Sequence, residues 1–369
     1  MAVVLQQIIE NTLDPTCFAV IQGGVAETTR LLEQKWDKIF YTGSATVGTL
    51  IAKKAAETLT PVTLELGGRN PAIITKNADP RLAARRLLWG KTVNAGQVCV
   101  SHNYTMVDKE VLPAFVAEMK AALKAFFPQG VRPSPDFGRI VNNRQWKRLK
   151  SMMDESKGKV LIGGSSDEAD LFIELTLLQV DDFHDPLIME ESFGPLMPIL
   201  AIDNLDEAIR IANEVHATPL AVYPFGNRSE TDRVLREMRS GGASVNDSFS
   251  HGSIPTLAFG GVGDSGQGAY RGKASFDCFS HRRSITRTPG WMERLLDVRY
   301  PPYEGKIAKF RKMSELRPNF DREGKVKFDL VRYILTLGAG STTGSVTRYA
   351  LVLLAALGLK MYLDRTSKL

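Results

Sequence analysis

A cysteine lies in a part of the chain where its side chain could take part in catalysis. A helix is predicted to open with Asp79 as N-cap and Pro80 in the first turn, and to end at Asn94-Ala-Gly96. A strand is predicted to begin near His102, so Cys99 lies on a short loop between a helix and a strand. A thiol on such a loop can meet a ligand and act as a nucleophile. The alternative is a small buried hydrophobic residue, which is the commoner role of a free cysteine.

A glutamate stands in a second stretch with chemical potential. Glu65 ends the short apolar strand that follows Pro61, lies between Leu64 and Leu66, and is followed by two glycines. A carboxylate in apolar surroundings has a raised pKa and can act as a general base near neutral pH. An exposed glutamate at a strand end is the alternative interpretation.

Taken together, these two stretches resemble the signatures of the aldehyde dehydrogenase superfamily. Glu65-Leu-Gly-Gly-Arg69-Asn-Pro71 is similar to Glu-Leu-Gly-Gly-Lys-x-Pro, and Gly96-Gln-Val-Cys99 is similar to Gly-Gln-x-Cys. Cys99 follows Glu65 by 34 residues (99 − 65), which fits the family, and Arg69 keeps the charge of the usual lysine. The resemblance implies that Cys99 attacks an aldehyde, that Glu65 activates the water that hydrolyses the thioester, and that no metal takes part.

Two further segments resemble the parts of that family that bind NAD, with NADP as a possible alternative. Tyr41-Thr-Gly43-Ser44-Ala-Thr-Val-Gly48 lies at a strand-to-helix corner, where exposed amides suit a phosphate, although an ordinary corner has the same pattern. In Met189-Glu-Glu191-Ser-Phe193-Gly-Pro195, the resemblance implies that Glu191 holds the nicotinamide ribose and that Phe193 flanks the ring. The cofactor-binding residues expected by resemblance are Gly43, Ser44, Gly48, Leu66, Gly67, Glu191 and Phe193.

The order of predicted elements indicates a doubly wound α/β fold. The resemblance implies that this fold is aldehyde dehydrogenase-like. Helices are predicted to about Glu10, at Ala26–Gln34 and at Ala45–Glu57, and strands at Cys17–Ile21, Lys38–Thr42 and Val62–Leu66. Residues 1–66 are expected to be a remnant of the NAD-binding domain and residues 67–253 the catalytic domain. Residues 254–290 are expected to return to the cofactor domain and form an oligomerisation arm, with a strand from Phe276 to Ile285. The resemblance implies a homodimer.

Compared with the family pattern, the chain begins inside the cofactor domain. In the family, an N-terminal block precedes this point and contains a Pro-Trp-Asn and a Lys-Pro-Ser-Glu segment, and no segment here matches either of them. In the family, that block also contains an Asn that donates a hydrogen bond to the oxyanion. We therefore expect a truncated cofactor domain. Because removing one oxyanion donor costs about 100- to 1,000-fold in rate, a second hypothesis is a catalytically impaired, membrane-attached interaction protein or an incomplete gene model.

Composition narrows the class of protein. Three cysteines in 369 residues are too few and too scattered for a disulfide framework or a zinc site, which indicates a reducing compartment. The net charge is +6, yet residues 281–332 hold 14 Lys/Arg against 7 Asp/Glu, so most of the chain is near neutral. This distribution argues against a nucleic-acid partner and suggests that the basic segment near the C-terminus binds an anionic surface. The N-terminus lacks a basic targeting signal.

The C-terminal part is expected to attach the protein to a membrane. Residues 291–332 form a basic connecting segment and residues 333–369 a hydrophobic membrane tail, a transmembrane helix in the fullest case. Residues 349–363 would span about 22 Å against a hydrocarbon core of about 30 Å, and a buried core helix is the alternative. Ser280–Arg283 and Val298–Pro302 resemble the class 3, fatty-aldehyde branch. That branch implies medium- or long-chain fatty aldehydes and a catalytic part facing the cytosol at the endoplasmic reticulum, with lipid droplets or the mitochondrial outer membrane as alternatives.

Overall fold

The computed structural model describes residues 1–314, 320–322, 324–325 and 346–357. The chain forms two compact units, Met1–Arg282 and Arg283–Leu369. Every residue expected to act in catalysis or cofactor binding lies in the first unit. The helices of this unit are α1 Ala2–Thr12, α2 Val25–Leu32, α3 Ala45–Ala56, α4 Pro80–Thr92, α5 Leu112–Phe126, α6 Asn143–Glu155, α7 Pro186–Met189, α8 Leu205–Val215, α9 Arg228–Glu237, α10 Ser250–Ser253 and α11 Lys273–Cys278. Its strands are β1 Ile39–Gly43, β2 Val62–Leu66, β3 Pro71–Ile74, β4 Tyr104–Asp108, β5 Lys159–Ile162, β6 Ser166–Asp167, β7 Phe172–Ile173, β8 Thr176–Val180, β9 Leu196–Ile202, β10 Ala221–Phe225, β11 Gly242–Ala243 and β12 Gly266–Gln267.

A three-stranded sheet in the order β1-β2-β12 carries the first part of the site. β1 and β2 are parallel with Thr42 opposite Glu65, and β12 pairs antiparallel with the end of β2. Helix α3 is capped by the Ser44 side chain, which accepts a hydrogen bond from the Val47 amide. The carboxyl ends of β1 and β2 therefore lie beside the start of α3, where a doubly wound fold binds its ligands.

A seven-stranded sheet in the order β11-β10-β3-β4-β9-β8-β5 forms the larger layer, and only β5 runs antiparallel to its neighbour. Side chains alternate across it, so Ala72 and Ile74 lie in one core and Ile73 in another. The first core includes Leu87 of α4 and Phe115 of α5, and the second includes residues of α8 and α9. This is the doubly wound α/β arrangement that the sequence predicts.

Helix α4 leads directly to the cysteine. Its predicted cap is confirmed, because the Asp79 carboxylate accepts hydrogen bonds from the amides of Arg81 and Leu82. The helix ends at Thr92, and Asn94 and Ala95 then adopt left-handed backbone angles with φ of 49° and 51°. This sharp reversal turns the chain out of the helix and into the loop that carries Cys99.

Two predicted strands are wrong. No strand forms over Cys17–Ile21, and β1 pairs only with β2 among the described residues, so this apolar stretch has no ladder partner. Phe18 and Ile21 are accordingly 52% and 59% exposed. The strand expected from Phe276 is replaced by α11, which the Lys273–Asp277 ion pair supports at helical spacing.

The second unit contains short helices, among them α12 Glu293–Leu296 and α13 Ile307–Ser314, and a helix over residues 346–357. Within the parts of the chain that the structure describes, no helix combines the length and apolar character needed to cross a membrane. The predicted tail falls largely outside the described residues, since only residues 346–357 of 333–369 are included. All twelve of those residues are exposed.

Candidate active site

A cavity of about 700 Å³ lies where the ends of β1 and β2, the start of α3 and the Cys99 loop meet. Seven residues singled out from the sequence line this cavity, namely Gly43, Ser44, Glu65, Gly67, Cys99, Glu191 and Phe193. The predicted nucleophile, the predicted base and most predicted cofactor contacts thus share one space.

The remaining two predicted cofactor residues lie elsewhere. Gly48 lies within α3, where a Cβ would come within 2.6 Å of the Leu66 side chain, so this glycine allows α3 to pack on β2. Leu66 lines a second cavity of about 650 Å³ on the other side of the strand. Gly67 and Glu191 line both cavities and therefore form the partition between them.

Burial raises the pKa of both Glu65 and Cys99, and Glu65 raises the pKa of Cys99 further. Glu65 is 1% exposed, and burial raises the pKa of its carboxyl group. Burial, and then the nearby Glu65 carboxylate, raise the pKa of the Cys99 thiol to about 12. The resting thiol is therefore neutral at physiological pH. Because Glu65 Oε1 is buried and has no hydrogen-bond partner among the described residues, it can accept a proton in this site.

Asn70 fixes the backbone immediately after the nucleophile. Its Nδ2 donates to the carbonyl of Cys99 at 2.8 Å and to that of Ser101 at 3.0 Å. Its Oδ1 accepts from the Ala221 amide at 2.9 Å, at the start of β10. A side chain from the end of the Glu65 segment thus ties the cysteine loop to the central sheet.

Two further side chains hold the carbonyls in between. The Tyr223 hydroxyl donates to the carbonyl of Val100, and Lys91 Nζ donates to the carbonyl of His102. The carbonyls of four consecutive residues, 99 to 102, are therefore all engaged by buried donors. Sequence reasoning missed these donors because Asn70 and Tyr223 meet the loop only through tertiary folding, and Lys91 has the pattern of an ordinary lysine in the last turn of a helix.

Gln97 anchors the other side of the loop. Its Nε2 donates to the carbonyls of Asn94 and Arg139, both at 3.0 Å, and its Oε1 accepts from the Val141 amide at 3.0 Å. The amide side chain thereby connects the cysteine loop to the chain that leads into α6. A glutamine beside the cysteine consequently has a clear positioning role.

The segment that carries Glu191 and Phe193 is held by Asn103. Asn103 Oδ1 accepts from the Ser192 amide at 2.9 Å, and its Nδ2 donates to the Glu190 carbonyl at 2.9 Å. Burial raises the pKa of Glu191 to about 6. Its carboxylate lies so close to Gly67 that a Cβ on that glycine would overlap it. Phe193 has φ of 50° and is 43% exposed, so its ring faces the open cavity.

These residues fit a nicotinamide cofactor. The Glu191 carboxylate can accept hydrogen bonds from ribose hydroxyls, and the exposed ring of Phe193 can restrain a flat heterocycle. Gly43 and Ser44 bring the start of α3 to the same cavity, where helix amides suit phosphate oxygens. Gly67 leaves the room that the Glu191 carboxylate needs.

Comparison with protein families and curated proteins gives a consistent result. The model of the aldehyde dehydrogenase family matches residues 1–285. A protein named beta-apo-4'-carotenal oxygenase from Neurospora crassa is 54% identical over 367 residues, which cover 98% of this chain and 69% of that protein. The dimeric NADP-preferring aldehyde dehydrogenase of Rattus norvegicus is 42% identical over 310 residues, covering 84% of this chain and 68% of that protein.

Solved structures show the same fold. The substrate-bound state of Staphylococcus aureus AldH has a TM-score of 0.78 at 38% identity, covering 85% of this chain and 68% of that chain. A Mycobacterium tuberculosis aldehyde dehydrogenase complexed with NAD+ has a TM-score of 0.69 at 26% identity, covering 76% of this chain and 59% of that chain.

Proposed function

This chain belongs to the aldehyde dehydrogenase family and is of the NAD(P)-dependent kind, and from that premise we propose that Cys99 and Glu65 carry its chemistry. The observation that supports the proposal is their meeting at one cavity, with a neutral thiol beside a buried carboxylate that has an unpaired oxygen. A nucleophile and a base that share one cavity match the requirements of acyl chemistry.

The reaction divides into two steps at Cys99. As the sulfur bonds to the aldehyde carbon, the thiol proton leaves toward Glu65, and the backbone amide of Cys99 stabilises the oxyanion. Glu191 and Phe193 would hold NAD(P)+, which would supply a hydride acceptor, and the adduct on Cys99 would then become a thioester. Glu65 releases that proton to solvent and then takes a proton from water, and the hydroxyl attacks the acyl carbon. The carboxylic acid leaves as the proton on Glu65 returns to the sulfur and the thiol re-forms.

For the substrate we propose a long apolar aldehyde. Two relatives that share 54% and 48% of their residues with this chain are named for beta-apo-4'-carotenal, and Val98, Val141 and Phe193 give the cavity an apolar wall. A medium- or long-chain fatty aldehyde has the same chemistry, a terminal aldehyde on an extended apolar chain. Of the two, the names of the relatives favour the apocarotenal.

The test is reduction of NAD+ or NADP+ by the purified chain with beta-apo-4'-carotenal, hexadecanal or propanal, followed by absorbance at 340 nm. We expect turnover with both long aldehydes, slower turnover with propanal, and none in Cys99→Ser. Turnover that survives Cys99→Ser excludes the proposed nucleophile. Absence of turnover with every aldehyde, from a folded chain, instead favours the catalytically impaired interaction protein.

We also propose that the C-terminal part attaches the protein to a membrane with the catalytic part facing the cytosol, and that this membrane is the endoplasmic reticulum. The support for attachment is the basic stretch 281–332 followed by apolar residues, of which residues 346–357 form an exposed helix. Two weak membrane signals together give stable attachment where one does not. Deletion of residues 333–369 should release the protein from carbonate-washed membranes, and retention of the deleted chain would exclude the tail as anchor.

We also propose that the chain is a homodimer, and this proposal has a separate test. The chain elutes from a sizing column with light-scattering detection at twice its monomer mass of 40.7 kDa if the proposal holds. A monomeric mass at micromolar concentration contradicts it.

A further inference from the structure

One buried lysine touches both ends of the loop that carries Cys99. Lys91 is 1% exposed although it lies in the last turn of α4. A Cβ on Gly96 would lie 3.2 Å from Lys91 Cδ, so the lysine stem packs under the residue three positions before Cys99. Lys91 Nζ donates to the carbonyl of His102, three positions after Cys99.

The same lysine lies beneath the Glu191 segment. A Cβ on Gly96 would also overlap the carbonyl oxygen of Gly194, so the lysine stem, the cysteine loop and the chain after Glu191 pack together at Gly96. The Glu191 carboxylate favours the charged form of Lys91 electrostatically. Lys91 thus contacts the segment that carries the nucleophile and interacts electrostatically with the predicted ribose ligand.

A buried cation needs a reason, because an apolar side chain of the same length avoids the cost of desolvation. Burial lowers the pKa of Lys91 to about 7, and this lowering reflects the cost of removing the ammonium group from water. His102 beside it stays neutral, since burial and Lys91 lower the pKa of its ring well below the ordinary value. The charged group that acts on Lys91 is therefore Glu191.

We infer that Lys91 is a positioning residue for the nucleophile: it ties the loop Gly96–His102 at both ends and places a positive charge under Cys99 and Glu191. Only the effect of Lys91 on the reaction rests on the proposed role of Cys99. The tie itself can be tested without substrate or cofactor.

The first measurement is backbone amide exchange followed by mass spectrometry. Lys91→Met removes the donor and the charge but keeps the apolar stem, and Tyr223→Phe removes a different carbonyl tie without changing charge. Lys124→Met is the matched control, because Lys124 also lies in the last turn of a helix, α5, but is exposed. Exchange over residues 96–102 should rise about tenfold in Lys91→Met and in Tyr223→Phe and stay unchanged in Lys124→Met. Unchanged exchange in Lys91→Met overturns the tie.

The second measurement separates the charge from the tie. In a Cys17→Ser, Cys278→Ser background, iodoacetamide alkylation of Cys99 is followed from pH 5.5 to pH 9. The Lys91 parent should react several-fold faster than Lys91→Met near pH 6, where the ammonium favours the thiolate, and the rates should converge above about pH 8 as Lys91 loses its proton. A ratio that does not vary with pH overturns the charge effect. Tyr223→Phe should show no such pH dependence.

If Lys91→Met does not fold, Lys91→Gln replaces it, since an amide keeps a donor without the charge. Its alkylation profile should match the one expected for Lys91→Met, whereas a profile like that of the parent overturns the inference. Failure of the proposed function is distinguishable. Turnover that survives Cys99→Ser removes the catalytic role of the cysteine, while the exchange result continues to report on the tie.

Discussion

At the residue scale, Glu65 has two opposing effects on Cys99. The carboxylate raises the pKa of the thiol, so it stabilises the protonated nucleophile at rest and yet is the group placed to receive the proton during attack. This arrangement protects a thiol that lines an open cavity from adventitious oxidation, because reactivity follows the thiolate fraction. Activation then depends on the arrival of substrate and cofactor.

A prediction follows for Glu65→Gln. Removing the carboxylate removes a cause of the raised thiol pKa, so the apparent pKa of Cys99 should fall. Its alkylation at pH 8 should become about tenfold faster for each pH unit by which that pKa falls, because the thiolate fraction rises in proportion. Alkylation with iodoacetamide across pH in the Cys17→Ser, Cys278→Ser background measures this directly. An unchanged or higher apparent pKa would show that Glu65 does not act on the thiol.

Glu191 makes stability depend on pH. Its pKa of about 6 in the fold exceeds the ordinary value of 4.5, so the fold favours the protonated form, and stability is lost as pH rises from about 4.5 through 6. In Glu191→Gln this loss is absent. The free energy of unfolding of the variant relative to the parent should therefore increase by about 1.5 kcal/mol between pH 4.5 and pH 6.5. Urea titrations at pH 4.5 and pH 6.5 measure the difference, and a difference that does not vary with pH contradicts the environment described for Glu191.

At the scale of elements, the sequence predicts features that depend on neighbouring residues but not features that depend on distant ones. The Asp79 cap and the limits of β2 follow from neighbouring residues, and the structure agrees with both. The stretch Cys17–Ile21 has strand composition, but a strand forms only with a ladder partner, and pairing is not encoded locally. The residues that hold the loop, Asn70 and Tyr223, are 29 and 123 positions away from their acceptors. No periodicity could have identified them.

Gly96 provides a test of the loop as an element. It has φ of 73°, and a Cβ would overlap the carbonyl of Gly194, so Gly96→Ala should lower the free energy of unfolding by more than about 2 kcal/mol and displace Cys99. Gly130→Ala is the matched control, because Gly130 has φ of 91° but its Cβ would meet nothing closer than 3.9 Å. That variant should cost only about 1 kcal/mol, the cost of the backbone conformation alone. Equal costs, measured by urea unfolding, would show that the close approach to Gly194 is not a constraint.

At the scale of the whole molecule, charge and site are segregated. The site lies in the first unit, Met1–Arg282, whereas the basic stretch 281–332 lies almost wholly in the second. Basic residues near an anionic lipid surface contribute about 1 kcal/mol each, and that contribution is screened by salt. A chain divided in this way can use one unit for chemistry and the other for location.

The proposed membrane attachment therefore has a salt dependence. A chain lacking residues 333–369 keeps the basic stretch and should bind phosphatidylserine vesicles at about 50 mM salt but be released at about 500 mM, where screening is nearly complete at contact distances. The full chain should stay bound at both, because apolar burial is not screened. Vesicle sedimentation gives both fractions, and salt-resistant binding of the deleted chain would place the apolar contact outside the tail.

The most direct test of the central claim is to trap the acyl group on the cysteine. Glu65→Gln is mixed with hexadecanal and NAD+, quenched in acid, and digested for mass spectrometry, with Cys99→Ser as the control. We expect a hexadecanoyl adduct on the peptide that contains Cys99. The thiol pKa falls in this variant, so Cys99 can lose its proton to solvent and form the thioester, but the base that activates water is absent. An adduct on Cys17 or Cys278, an equal adduct in Cys99→Ser, or no adduct while NADH is produced would contradict the proposed chemistry.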